Sequence, residues 1–193
     1  MKKNPDQSLS KGSQARKDAV EYLRKAMDFG VGDARRHFYI GMACITLMCC
    51  EEAIAAFKMA LSTDPNHALA LEKMRFACGS IGLYGEEVIE TCAQIIRRNP
   101  RHAAAYTFLG ECYHKVGERD RAIPFLEEAI AIAPEVPTPH LILGQVHAEL
   151  GDKDSAMEEY RKLARLDKDR AESLLHFIDS RNYLRRNRPS MTF

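Results

Sequence analysis

The sequence predicts an all-α chain of stacked antiparallel helix pairs, and three observations predict it. The stretch LGECYHKVGERDRAI (Leu109 to Ile123) returns thirty-four residues later as LGQVHAELGDKDSAM (Leu143 to Met157). Leu-Gly, then Gly117 and Gly151, then Ala122 and Ala156 keep the offset while nearly every polar residue changes, which marks an internal repeat. Each unit also carries two apolar stripes at helical spacing, such as Tyr106–Leu109–Tyr113 and Ile123–Leu126–Ile130. Finally, Gly117 and Gly151 separate the two stripes, and Pro65, Pro100 and Pro134 close the second one, since proline cannot continue a helical hydrogen-bond ladder.

In chain order, residues 1–12 are expected as a flexible tail. Ser13–Phe29 follows as a leading helix within 13–33, with Ala19, Val20, Leu23, Ala26 and Met27 inward. The first full unit, 34–67, supplies His37, Ile40, Gly41, Cys44, Ala53, Phe57, Ala60 and Pro65. The second, 68–102, is the poorest copy. It has Arg75 where the first has Gly41, an extra residue near Gly85, and a buried stripe expected at Leu71, Met74, Cys78 and Ile81. Units 103–136 and 137–170 are the clear copies, with Tyr106 and His140 at the large first position. Pro124 is expected early in its helix, where a missing N–H costs least. Residues 171–186 read as a capping helix with Leu174, Leu175, Ile178 and Leu184 on one side, and 187–193 as a tail.

The small residues follow from packing. Gly110, Ala122 and Ala129 let two helix backbones lie close, and the polar residues between them vary because they face water or a partner. The landmarks together resemble the tetratricopeptide repeat, whose signature runs W-x2-L-G-x2-Y, A-x3-F, P over about 34 residues. The resemblance covers about residues 34–170 and implies a superhelical solenoid whose inner wall is made by the first helix of each pair.

Composition narrows the function. The chain has 193 residues, 46% hydrophobic and 28% charged, and no apolar run approaching the ~18 residues of a membrane span. Behind the N-terminal charges there is no signal-peptide apolar core, so a cytoplasmic location is expected. The net charge of +1 is uneven: residues 1–25 carry +4, residues 161–193 carry +5 and the middle carries −8. Basic ends on an acidic body leave only a weak case for nucleic acid or an acidic membrane surface, through Arg181, Arg185, Arg186 and Arg188. The six cysteines lack C-x2-C spacing and mostly fall on apolar helical positions, as small hydrophobes do. His37, His140 and His147 occupy packing positions, and His67 and His102 follow prolines. No metal site, cofactor or catalytic motif is expected, and the chain reads as non-enzymatic.

Helical geometry then places the inner-wall positions: Arg35, Phe38, Met42 and Ile45 in the first unit, and Leu69, Glu72 and Phe76 in the second. The third offers Ala104, Thr107, Glu111 and His114, and the fourth Thr138, Leu141, Gln145 and Ala148. The first two units put Phe38, Met42, Ile45, Leu69 and Phe76 on a face expected to be free of core duty, which predicts a binding groove. These positions hold no cation cluster for a partner's terminal carboxylate, so the expected ligand is an apolar or helical protein segment. The rival expectation is self-assembly into a homo-oligomer through the N-terminal helix or the groove.

Overall fold

The structure, a computed structural model, describes the backbone of residues 5–186 and the side chains of residues 14–181. Among the described residues there are ten helices and no strand. The chain divides into two compact units, one ending at Pro100 and the other beginning at Arg101. The first holds α1 (Pro5–Met27), α2 (Ala34–Thr46), α3 (Cys50–Thr63), α4 (Ala68–Ile81) and α5 (Glu86–Arg98). The second holds α6 (Ala103–Lys115), α7 (Arg119–Ile132), α8 (Pro137–Leu150), α9 (Lys153–Leu166) and α10 (Lys168–Arg186).

Within the first unit α1 packs on α2, α2 pairs with α3, and α3 meets α4 and α5. Within the second, α6 pairs with α7, α7 meets α8, α8 pairs with α9, and α10 lies against both α8 and α9. The interior follows the stripes: Phe57, Leu61, Met74 and Ile95 are fully buried in one unit, and Phe108, Leu126, Val146, Leu163, Leu174 and Ile178 in the other. Burying a side chain of that size contributes about 2–3 kcal/mol. The small residues have the role expected of them. A Cβ on Gly41 would stand 2.5 Å from the Phe57 ring, and one on Gly110 would stand 2.6 Å from Leu126. Gly144 does the same for α10, admitting Leu174 where a Cβ would lie 2.6 Å from its methyl.

Each first helix ends in the same way. The N–H five residues on returns to a carbonyl of the last turn: Cys49 to Cys44 (2.9 Å), Leu83 to Cys78 (3.0 Å), Glu118 to Tyr113 (2.9 Å) and Asp152 to His147 (2.9 Å). This closure requires a left-handed residue just past the helix, and Gly82, Gly117 and Gly151 supply it with φ of 71°, 90° and 91°. In α2 the position falls to Met48, whose φ is 64°. The second helices α3, α5 and α7 each end two residues before Pro65, Pro100 and Pro134. The following His67 and His102 are N-caps: their Nδ1 atoms accept from the N–H groups of Ala70 and Ala105, both at 3.2 Å. The extra residue of the weak copy lengthens the loop Gly82–Gly85 between α4 and α5.

Five expectations need correction. The helix α1 begins at Pro5, so residues 5–12 are helical rather than a tail; residues 1–4 and 187–193 lie outside the described residues. Its buried stripe is Ala19 and Ala26 with half-buried Tyr22, while Val20, Leu23 and Met27 face out; both stripes have helical spacing, but among the described residues α1 packs on α2 alone, which covers one of them. Ile81 is exposed at the end of α4, one residue before the left-handed Gly82 turns the chain away. Pro124 is the sixth residue of α7, past the four N–H groups that lack partners, so it removes the ladder bond to the Asp120 carbonyl. The capping helix starts at Lys168, not 171, and buries Ala171 with Leu174 and Ile178; the Leu184 side chain lies outside the described ones.

Candidate functional site

In the first unit, α4 shows how one stripe defines two faces. Ala70, Leu71, Met74, Ala77 and Cys78 are buried, which turns Leu69, Glu72 and Phe76 outward. Leu69 is 53% exposed and Phe76 is 61% exposed, large values for apolar side chains. On α2, Met42 and Ile45 are half-buried. Phe38 is also half-buried, and not free of structural duty as expected. Its ring centroid lies 4.8 Å from His67, 5.5 Å from Tyr39 and 6.0 Å from Phe57, so it closes the edge of the core. Arg35 is committed as well. Its guanidinium pairs with Asp33 at 2.7 Å and lies over the Phe29 ring at 4.3 Å, and Asp33 caps α2. The Arg35 hydrogen bond holds the Asp33 carboxyl below its usual range. Glu72 pairs with Lys73 at 3.0 Å on the exposed surface, an interaction that contributes little. The apolar character of this face therefore rests on Leu69 and Phe76, with Met42 and Ile45 beside them.

The second unit presents a different surface at the corresponding positions. Thr107 is 7% exposed and its hydroxyl donates to the Ala103 carbonyl at 2.9 Å, so it is buried rather than displayed. Ala148 is buried too, and half-buried Leu141 packs against the cluster formed by Ala156, Leu163, Leu174 and Ile178. Glu111 and Gln145 are half-buried, and Ala104 is exposed.

His114 belongs to a polar network that the repeat pattern does not show. The Glu149 carboxylate accepts from Arg119 Nε and, at 3.2 Å, from His114 Nε2 on one oxygen, and from Arg181 at 2.9 Å on the other. Burial pushes Glu149 up, but the Arg119 hydrogen bond and the neighbouring positive groups outweigh it and hold the carboxyl below its usual range. At His114 burial outweighs the pull of Glu149 and lowers the imidazole below its ordinary range. His114, Arg119 and Glu149 line a pocket of about 270 Å³ with Lys115, Gln145 and Phe177. Arg181, one of the basic C-terminal residues of the sequence, is engaged within the chain: besides Glu149 it lies over the Phe177 ring at 5.1 Å, with its side chain 42% exposed.

Two further features escaped the sequence reading. His140, 3% exposed, is joined to Glu159 (Nδ1 to Oε2, 2.6 Å) and to the Pro134 carbonyl (Nε2, 3.1 Å), while Lys162 reaches Glu159 at 2.9 Å. Both ring nitrogens face acceptors, which calls for an imidazolium beside a carboxylate. A cleft of about 320 Å³ also runs between α3 and α5, bridged by Lys58 with Glu87 at 2.7 Å and by Arg98 with the Ser62 carbonyl at 2.6 Å. Neither was legible, because repeat spacing reports where a residue sits and not which charge stands opposite.

Among the described residues no group of three or more His, Cys, Asp or Glu gathers as a metal centre would require. Nor is any helix long and apolar enough to cross a membrane. All six cysteines are free thiols, with Cys78, Cys92 and Cys112 buried.

The chain matches the tetratricopeptide repeat family over residues 115–175, and a second description of the same repeat over 90–137. Among solved structures it is similar to MamA (41-end) from Desulfovibrio magneticus RS-1. Identity is 21%, covering 82% of this chain and 96% of that one, with a TM-score of 0.59. It is also similar to a thermophilic TPR protein of Thermus thermophilus, at 22% identity over 79% and 84% with a TM-score of 0.61. A third is YrrB, described as a TPR protein with an unusual peptide-binding site, at 16% identity over 88% and 86% with a TM-score of 0.61. Identities this low speak for the fold alone. No curated protein sequence matches the chain.

Proposed function

The chain is a tetratricopeptide-repeat protein, and from that premise we propose that it is a non-enzymatic adaptor holding an apolar or helical segment of a partner protein. The repeats are taken to run 34–67, 68–102, 103–136 and 137–170, with the segment lying on the inner face of the first two. The observation that carries this reading is the pair Leu69 and Phe76, both more than half exposed on a helix whose opposite face is fully buried. Met42 and Ile45 widen the apolar strip, and Arg35 and Glu72 border it with opposite charges. An amphipathic helix reads such a strip through side chains at i, i+3, i+4 and i+7. The peptide-binding site of YrrB, on a protein of the same fold, supports this use of the repeats. In the second unit Thr107 and Leu141 are held in its own packing and His114 in its own network, and the inner positions Glu111 and Gln145 are half-buried, so the ligand is placed on the first two repeats.

The test pairs wild-type protein with a Leu69→Glu/Phe76→Glu variant as baits in source lysate, at moderate and high salt. Phe38 is left intact, since its ring supports the core. A protein retained by wild type at both salts and lost by the variant, with unchanged melting temperature, supports the adaptor. Equal recovery by both baits, or by neither, overturns it.

A further inference from the structure

The second helix of a full pair has neighbours on two sides. Thus α3 lies against both α2 and α4 and buries Ala53, Ile54, Ala56, Phe57, Ala60 and Leu61. The leading helix α1 sits in the same relation to α2 but, among the described residues, packs on no other helix. It buries Ala19 and Ala26 and leaves Val20 (65%), Leu23 (44%) and Met27 (72%) exposed. With the stem of Arg16 these occupy positions 16, 20, 23 and 27, one continuous face at helical spacing.

We propose that this face docks the α1 of a second copy of the chain, the two helices running antiparallel about a two-fold axis. The charge beside the stripe favours a like partner. Lys17, Glu21, Arg24 and Asp28 run along one flank, and an antiparallel copy that sets Leu23 against Val20 leaves Lys17 about 3 Å along the axis from Asp28 and Arg24 about 3 Å from Glu21. Both pairings satisfy one register, within side-chain reach of the apolar alignment. Within a single chain Lys17, Arg24 and Asp28 make no ion pair among the described residues, and Glu21 makes only the exposed contact with Lys25 at 3.7 Å.

A head-to-tail array is not favoured by the same surfaces. Among the described residues the outer face of α10 carries Glu172, Ser173, His176, Asp179 and Ser180, polar side chains that offer nothing to an apolar stripe. A closed two-fold pair needs only the one surface.

Sedimentation equilibrium of the full chain in reducing buffer, across a wide concentration range, tests the proposal. The expected mass rises from one chain to two, and Leu23→Glu returns it to one chain at every concentration without lowering the melting temperature. Lys17→Glu and Asp28→Lys should each weaken association about tenfold, and their combination should restore it to within about threefold. Leu69→Glu/Phe76→Glu should leave association unchanged, which separates this surface from the partner face. A single-chain mass throughout, or a dimer that survives Leu23→Glu, overturns the proposal. So does a dimer lost through the Leu69/Phe76 variant, or swaps that add instead of compensating.

Discussion

The two units bury the same kinds of residue and expose different ones. Among the described residues the first unit shows eleven large apolar side chains to solvent, and the second shows four. In the second unit the inner-face positions His114 and Leu141 are engaged internally, with Glu149 and with the α9–α10 core, and the packing position His140 pairs with Glu159. Its last helix pair is covered by α10, whose Leu174 enters the space over Gly144. Among the described residues of the first unit, neither α1 nor the inner face of α4 has such cover. Repetition thus fixes an interior common to both, and the exterior divides into a unit that engages its own polar and apolar groups and a unit that leaves more apolar surface exposed.

The largest expected effect breaks that internal engagement. His140→Ala removes one partner of a buried ion pair and should cost about 3 kcal/mol, seen in chemical unfolding and as faster hydrogen exchange in α8 and α9. Exchange in α2 and α3 should hardly change, since repeats couple mainly to their neighbours. An equal loss of protection in both units would mean that they unfold as one body and that the contrast is only one of surface.

The same pair predicts a pH window. His140 lies above its ordinary 6.5, chiefly because its ring donates to Glu159, so its contribution is complete below pH 6.5 and is lost as pH rises through the folded value. Glu159 moves the other way. Burial pushes it up, but hydrogen bonds from His140 and Lys162 outweigh that and hold it below its ordinary 4.5; its contribution is lost as pH falls through the folded value. The pair therefore stabilises the second unit most between those two limits, and His140→Gln should flatten the decline on the alkaline side.

A smaller effect tests whether the interiors are equivalent. Gly41→Ala drives a Cβ to 2.5 Å from a Phe57 ring that Phe38 also contacts, and should cost about 2 kcal/mol. Gly110→Ala meets Leu126 at 2.6 Å, with the Ala122 carbonyl at 3.3 Å, and should cost a similar amount in the second unit. Matching losses in urea melts would place the difference between the units wholly outside the core. A Gly41→Ala variant of unchanged stability would show the first unit to be more loosely packed.

What the sequence made legible was whatever the repeat repeats. The buried stripes, the prolines that follow α3, α5 and α7, the glycine turns and the close approach at Gly41 and Gly110 are all set by spacing along one chain. What stayed hidden depends on a residue from elsewhere. Glu149 is one acidic residue near the end of α8 until Arg119 and Arg181 arrive from α7 and α10, and His140 looks like a packing substitute until Glu159 stands beside it. The leading helix failed for a third reason. Val20, Leu23 and Met27 are as well spaced as the residues truly buried, and only the number of neighbours decides which stripe turns inward.

The smallest effect carries the opposite sign. Met48 holds a left-handed backbone that the second unit assigns to Gly117 and Gly151, and its side chain is 83% exposed, so neither conformation nor burial favours methionine there. The left-handed region costs an L-residue about 1–2 kcal/mol, and glycine's larger loss of chain entropy returns about half of that. Met48→Gly should therefore raise stability by about 0.5–1 kcal/mol, and Gly117→Met should lower it by about as much. Strain held at an exposed apolar side chain is expected where that side chain has a use. If Met48→Gly gains stability yet retains less of the partner that wild type captures, the turn after α2 belongs to the binding surface. If capture is unchanged, that surface ends at Ile45, and Met48 is a repeat landmark replaced at a cost the first unit tolerates.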